Sequence, residues 1–357
     1  MDRRGFLKST GAAAALAATS AGSTTATADP AQPGDVFSPN LHTQPTLEFR
    51  LAVPWTDTVA GPADLAHRLA TSIRATSNGR IRLNLDYSSP ADAEFVHASE
   101  HARAATHPAF SYFAGLPAAS GLDATDLEAW VATGGGQDLW DQLSADLGDK
   151  PLLAGHLGPN PVLWSNRPLI DRASLRGLRI AVDGSTAGLT RALGATPVQI
   201  APADLAQALA SGDVDAVEQG ATLNAMAIGL PAASRFAVSP SFTPAGTAIA
   251  LRIRRDIWEK LNQADQALIS ACASQAYRTS LSEARLAERL LRETLRSRGG
   301  PAAQYMPAEI SSALPAVSEA VVAALAGHDD ASRRINASYM LFLRQVARGH
   351  PEASPIA

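Results

Sequence analysis

An α/β protein of two lobes is what the sequence predicts, and three observations predict it. Strand-type and helix-type apolar periodicity alternate along most of the chain. A second compact α/β pattern begins at Leu175, after a stretch broken by Gly and Pro. Helical periodicity then runs almost unbroken from Asp256 to Ser297, on the order of 60 Å at about 1.5 Å per residue, which exceeds one small domain. With 357 residues the chain also passes the size at which a single core keeps growing.

The elements follow in order. Arg3-Arg4-Gly5-Phe6-Leu7-Lys8 is a twin-arginine pattern, followed by an Ala- and Leu-rich stretch from Gly11 to Ala21 and by the small residues Ala26-Thr27-Ala28. Residues 1–28 therefore read as a twin-arginine signal peptide that sends the folded chain to the periplasm. The stretch is too short to cross about 30 Å of hydrocarbon, and no other segment reads as a membrane span. Residues 29–46 carry Pro, Gly, Asn and Gln without apolar periodicity and read as a flexible leader.

Leu47, Phe49, Leu51 and Val53 alternate as in a strand with one buried face. Pro62 opens a helix whose Leu65, Leu69 and Ile73 share one stripe, and Asn78-Gly79 ends it. Ile81, Leu83 and Leu85 alternate again, which completes a β-α-β unit. A helical stretch is expected from Ala91 to Thr106, then an irregular segment, His107 to Leu116. Asp126 to Val131 and Gln137 to Leu147 read as helices parted by a glycine triplet. Leu152 to Trp164 is strand-like but interrupted by Gly155, Gly158, Pro159 and Pro161, the mark of irregular backbone and of a possible binding wall.

In the second unit Ile180 and Val182 sit in a strand, Thr186 to Leu193 in a helix, Val198 and Ile200 in a strand, Asp204 to Ser211 in a helix. Ala216 and Val217 begin a strand and Leu223 to Gly229 form a helix. Ile249 to Ile253 returns as a strand before the long helix. Pro307 to Leu325 and Ala331 to Arg348 are the last helices, expected to pack on the first lobe. The reading thus assigns residues 47–165 with 249–348 to the first lobe, 166–248 to the second, and 349–357 to a tail.

Four stretches carry a family resemblance: Gly-Gly-Gly-Gln-Asp-Leu-Trp (134–140), Leu-Arg-Gly-Leu-Arg-Ile (175–180), Leu-Gly-Ala-Thr-Pro-Val (193–198) and Gly-Asp-Val-Asp-Ala-Val-Glu (212–218). In that order and spacing they resemble the extracytoplasmic solute-binding proteins of TRAP transporters, especially the subgroup that captures 2-oxo acids. The resemblance implies a two-lobed periplasmic binding protein fold with a central ligand cleft and a long helix spanning both lobes. It implies capture of a small carboxylate and delivery to TRAP permease membrane subunits, without catalysis. A monomer and a dimer are both open.

Carried over residue by residue, the resemblance implies a site. Asn160 stands four residues before Trp164, where the subgroup has Gln. Glu218, with Asn160, would hold a Na⁺ or Ca²⁺ ion that bridges to the substrate carboxylate, since oxygen ligands suit such ions. Gln219 and Asn224 fall at further subgroup positions. Phe242 lies in Ser239 to Thr247, which resembles the family stretch whose aromatic residue closes over the ligand; core packing is the alternative. Trp55 and Tyr112 either line the same crevice or pack in the first lobe.

The departure is at Ala181, where most members carry an Arg that forks onto the substrate carboxylate. Such a contact is a charge-assisted pair of hydrogen bonds. Arg179, two residues earlier, is the nearest substitute, and a surface role at the strand entrance is its alternative. Gln219 replaces the subgroup's Trp, and Ala225 its Asp. A non-carboxylate solute and a partner that is a membrane sensor therefore remain as alternatives.

Other constellations carry less. His97 and His101 with Glu94 and Glu100 fall at metal-ligand spacing on the expected helix, yet no His-Glu-x-x-His motif is present. The glycine triplet lacks the Lys-Ser/Thr of a phosphate loop. Asp213 and Asp215 follow Gly212 at a turn and read as structural. A lone Cys272 excludes an intramolecular disulfide and reads as a buried thiol. The net charge of −4 offers no nucleic-acid footprint.

Overall fold

The computed structural model describes residues 46–55, 61–87, 92–117, 120–182, 186–218, 222–297 and 300–349, all within one compact unit. The expected signal peptide, nearly all of the leader, and the tail beyond 349 lie outside these residues. The strands are β1 (Leu47–Ala52), β2 (Ile81–Asp86), β3 (Phe95–Ser99), β4 (Asp149–His156), β5 (Leu163–Ser165), β6 (Arg179–Ala181), β7 (Thr196–Val198), β8 (Ala216–Val217), β9 (Phe236–Ser239), β10 (Ala248–Arg254) and β11 (Ala302–Tyr305). The main helices are α1 (Pro62–Thr76), α2 (Ala124–Thr133), α3 (Gly136–Ala145), α4 (Thr186–Ala192), α5 (Leu205–Ser211), α6 (Thr222–Ile228), α7 (Gln263–Ser297), α8 (Leu314–Ala326) and α9 (Asp330–Gly349).

These strands build two mixed sheets, ordered β2-β1-β3-β10-β4 and β11-β9-β5-β8-β6-β7. In the first, β1 runs parallel to β2 and β3, and β10 runs antiparallel to both β3 and β4. In the second, β6, β7 and β8 are parallel while β5 opposes β8 and β9. Irregular segments carry the chain from one sheet to the other between β4 and β5 and back between β9 and β10, and α7 later leads it to β11 of the second sheet. The two crossings run side by side, Leu157 N–H donating to Thr247 O at 2.9 Å and Asn160 N–H to Pro244 O at 3.3 Å.

Contact at the crossing is close enough to require glycine. A Cβ on Gly246, whose φ is +80°, would lie 1.8 Å from the Gly158 carbonyl oxygen. A Cβ on Gly158 would in turn meet Ala284 of α7 at 2.3 Å. The glycine triplet has a packing role of another kind: a Cβ on Gly134 or Gly136 would come within 2.9 Å of Phe342 or Trp130. Trp130 and Trp140 there sandwich Phe113, with ring centroids 5.2 and 4.8 Å from it.

Helix α7, 35 residues long, spans about 50 Å and enters three apolar clusters. Ile269, Cys272 and Ala273 join Leu69, Phe95 and Leu251 on one face of the first sheet. Tyr277 joins the aromatic cluster on its other face, with Phe113, Trp130 and Tyr339. Leu291 packs with Trp164, Val217 and Leu230 beside the second sheet. One amphipathic helix is therefore cemented to both sheets, and the single thiol is buried in its face.

The structure corrects several expectations. Residues 95–99 form a strand, not part of a helix, because β3 lies inside the sheet between β1 and β10 and buries Phe95, His97 and Ala98 together. The long helical stretch breaks at Leu261-Asn262, where Asn262 Oδ1 accepts the Asp265 N–H. Leu163–Ser165 pairs in the second sheet, as does the unexpected edge strand Ala302–Tyr305. The stretch Ala308–Ala326 does meet the length and apolarity of a membrane span. Here it is split into Ala308–Ser311 and α8, with Ile310 and Leu314 in the core of the second sheet. Of the last helices, α9 packs toward α2 and α3, whereas α8 also covers α4.

Candidate functional site

Glu218 follows directly on β8, at the C-terminal end of the parallel strands β6 and β8, its N–H donating to Ala181 O at 2.9 Å. The side chain is buried. Its Oε1 accepts four hydrogen bonds: the Phe242 N–H at 2.8 Å, the Thr243 N–H at 2.9 Å, the Thr243 hydroxyl at 3.0 Å and the Asn160 amide at 3.3 Å. Its Oε2 is equally buried and has no partner among the described residues. A carboxylate in that position is half satisfied, and a buried acceptor without a partner costs about 1–3 kcal/mol, more when charged.

Burial pushes the Glu218 carboxyl up to about 7, against the downward pull of the Thr243 and Phe242 hydrogen bonds. The uncompensated negative charge is what a cation would relieve. The donors nearby along the chain are hard oxygens: on the first turn of α6, the Thr222 hydroxyl and the Asn224 Oδ1 are both buried and unpartnered among the described residues. That set suits Na⁺ or Ca²⁺ and offers nothing to a thiophilic metal.

The crossing segments position the site. Asn160 lies on the first crossing, Phe242 and Thr243 on the second, and Ser241 ties the two by donating its hydroxyl to the Asn160 carbonyl. Among the residues singled out in the sequence, the structure thus brings together Glu218, Asn160 and the backbone of Phe242. Asn160 turns its amide nitrogen to Glu218, while its Oδ1 has no partner among the described residues. Thr243 was missed: its side chain is unremarkable in sequence, and the N–H donors it and Phe242 supply carry no residue signature. Gln219 lies outside the described residues.

Three picks sit elsewhere. The Phe242 ring is fully buried in the core of the second sheet with Leu163, Val238 and Met306, so its contribution to Glu218 is made by the backbone. Tyr112 belongs to the aromatic core, its hydroxyl donating to Asn336 Oδ1 at 2.9 Å and its ring standing edge-on to Tyr339. Arg179 opens β6 at the end opposite Glu218. There it is exposed and forks onto Asp215, its Nε 3.1 Å from Oδ2, with a further bond to Gly212 O. Ala181 is fully buried among Trp164, Leu205 and Val217, so no guanidinium reaches the site from this strand.

On the first sheet, Trp55 lies just past β1, edge-on to His97 with centroids 5.7 Å apart. The indole Nε1 and the His97 Nδ1 are buried without partners among the described residues, while His97 Nε2 meets Ala154 O at 3.3 Å. Burial lowers His97 to about 4, so the ring is neutral. His97 lies in β3 and His101 in the turn Glu100–Arg103 that follows it, so the two do not share the expected helical face.

A mixed α/β chain with two sheets, paired crossings and a helix cemented to both is a two-lobed binding protein, and the comparisons agree. The chain belongs to the bacterial extracellular solute-binding protein family 7, DctP, whose family model matches residues 64–327. It is 24% identical over 253 residues, 67% of this chain and 68% of the relative, to a monocarboxylate 2-oxoacid-binding periplasmic protein of Nostoc sp. strain PCC 7120. Among solved structures it resembles a TRAP transporter solute-binding protein of Bordetella bronchiseptica RB50, a mixed-occupancy dimer with calcium and picolinate. The TM-score is 0.78 at 22% identity, covering 86% of this chain and 94% of that one. A TRAP periplasmic solute-binding protein of Pseudoalteromonas atlantica T6c with sodium and pyruvate gives 0.79 at 18% identity, covering 85% and 96%.

Proposed function

We propose that this solute-binding protein captures a small organic anion of the 2-oxo-acid class in the periplasm and delivers it to the membrane subunits of a TRAP permease. The observation that carries the reading is the bare, buried Oε2 of Glu218. A negative group cannot attract an anionic solute, but a cation seated on it offsets that charge and presents a binding face to a carboxylate. Glu218 and Asn160 are the proposed anchors of a Na⁺ or Ca²⁺ ion, with Asn224 supplying a further oxygen. The relatives that hold calcium or sodium beside picolinate or pyruvate support this.

With Ala181 in place of an arginine, the cation takes the whole charge-neutralising role. Trp55, just past β1, offers its indole N–H as a donor from the first lobe, and the neutral His97, whose Nε2–H is turned to Ala154 O, leaves Nδ1 beside it as an acceptor. Sheet membership supports residues 47–162 with 248–254 as the first lobe and residues 163–247 with 302–305 as the second, while α7 and α8 pack on both. The twin-arginine segment at residues 3–8 is the proposed export signal.

A thermal-shift screen tests the reading, in Ca²⁺ and in Na⁺, against 2-oxo, 2-hydroxy and dicarboxylic acids. A ligand bound only by the native chain stabilises it by about 2.7 kcal/mol at one hundred times Kd. A shift with 2-oxo acids is the expected result; silence across all three classes contradicts it.

A further inference from the structure

Away from the cleft, His107, His328 and Asp329 bring one ligand atom each to within 4.8 Å of one another. The three come from two distant parts of the chain: the loop entering the turn Pro108–Phe110, and the connection between α8 and α9. We propose that they form a zinc site that pins these two parts of the first lobe together.

The geometry selects the ligand atoms. His107 Nδ1 accepts the Ala109 N–H at 3.2 Å, which fixes the ring and leaves Nε2 as its outward nitrogen. That Nε2 lies 2.7 Å from Asp329 Oδ2. Asp329 is held from its other side, because Oδ1 accepts the Ser332 N–H at 2.7 Å in capping α9. Oδ2 is thereby aimed at His107 rather than at solvent. The His328 ring stands edge-on to that of His107, centroids 5.0 Å apart. Two of the three ligands are thus oriented by a second interaction, His107 through Nδ1 and Asp329 through Oδ1, the arrangement that tunes and orients metal-bound imidazole.

Zinc bonds to imidazole nitrogen and carboxylate oxygen are about 2.0–2.2 Å long, so two ligands at a tetrahedral angle stand about 3.3 Å apart. Seating the ion needs His107 Nε2 and Asp329 Oδ2 to part by roughly half an ångström as the shared proton leaves. His328 is exposed and free to turn. Two imidazoles and a carboxylate favour zinc over the hard cations proposed for the cleft. Three protein ligands leave the fourth position to water.

The experiment uses the full chain stripped with EDTA and dialysed. Zn²⁺ alone is titrated calorimetrically into the wild type, His328→Ala, Asp329→Asn and Glu218→Gln, and Co²⁺ is added in parallel for its visible absorption bands. Asp329→Asn keeps an oxygen to cap α9, and His328 is a surface residue, so both variants retain the fold; a thermal melt verifies it. The expected result is one zinc per chain with micromolar affinity, tetrahedral Co²⁺ bands, and at least tenfold weaker binding in the His328 and Asp329 variants. Glu218→Gln leaves this zinc in place, which separates the site from the cleft. No stoichiometric zinc, or equal binding in all four proteins, overturns the proposal.

Discussion

Thr243 gives Glu218 two hydrogen bonds on one oxygen, from its N–H at 2.9 Å and its hydroxyl at 3.0 Å. With Phe242 N–H on the same Oε1, the carboxylate is fixed in rotation and its second oxygen is presented bare. Removing the hydroxyl should loosen that presentation while leaving two backbone donors in place. Thr243→Val is expected to weaken cation-dependent ligand binding about tenfold, the equivalent of a charged hydrogen bond of about 1.5 kcal/mol. Calorimetric titration of both proteins checks it, and an unchanged Kd would show that the backbone donors suffice.

The pH dependence follows from the upward shift of Glu218 to about 7 from 4.5. Between those values the folded chain keeps a proton that the unfolded chain has lost, so without a cation stability falls as pH rises across this window and levels off above it. A cation must displace that proton. Ligand affinity in the presence of the cation is therefore expected to climb about tenfold per pH unit from 5 to 7 and to flatten above 7. Burial holds His97 and His156 at about 4, so neither titrates in the window. Isothermal titrations at pH 5, 6, 7 and 8 check the slope.

Arg179→Ala is expected to leave the ligand Kd within twofold of wild type. Its guanidinium is committed to Asp215 and Gly212 at the far end of β6. A tenfold loss on calorimetric titration would mean that the side chain leaves this pairing to reach the ligand.

The crossing segments predict an asymmetry between two glycines of similar φ. Gly212→Ala meets no atom within 4 Å and carries only the strain of φ +82°, about 1 kcal/mol. Gly246→Ala adds a collision with the Gly158 carbonyl to the same strain and is expected to cost at least about 3 kcal/mol. Urea unfolding of the two variants against wild type measures the difference.

Much of the fold was legible because strands with one buried face alternate visibly, as Leu47, Phe49 and Leu51 do, and because the α7 stripe repeats over 35 residues. Strand β3 was not, since a strand buried inside a sheet shows no alternation and its Ala, His and Glu neighbours mimic a helix. The edge strand β11 offers the opposite problem: Ala302, Ala303 and Tyr305 are exposed, and no apolar face marks it. Within the site, Glu218 and Asn160 were reached through family resemblance, being 58 positions apart with no local pattern joining them. Tyr112 and the Phe242 ring are packed in the two cores, the alternative left open for both, because such residues read the same in sequence whether they cover a ligand or fill a core. Arg179 was drawn in by proximity to Ala181, which strand direction overrules.

The central claim is that the bare oxygen of Glu218 binds an anion through a cation. Its most direct test is calorimetric titration of pyruvate into wild type and Glu218→Gln, each in sodium-free chelator and after restoring Ca²⁺ or Na⁺. The expected result is binding by the wild type only when a cation is restored, and none by the folded Gln variant in any condition. Pyruvate binding of equal affinity in chelator, or in Glu218→Gln, would contradict it.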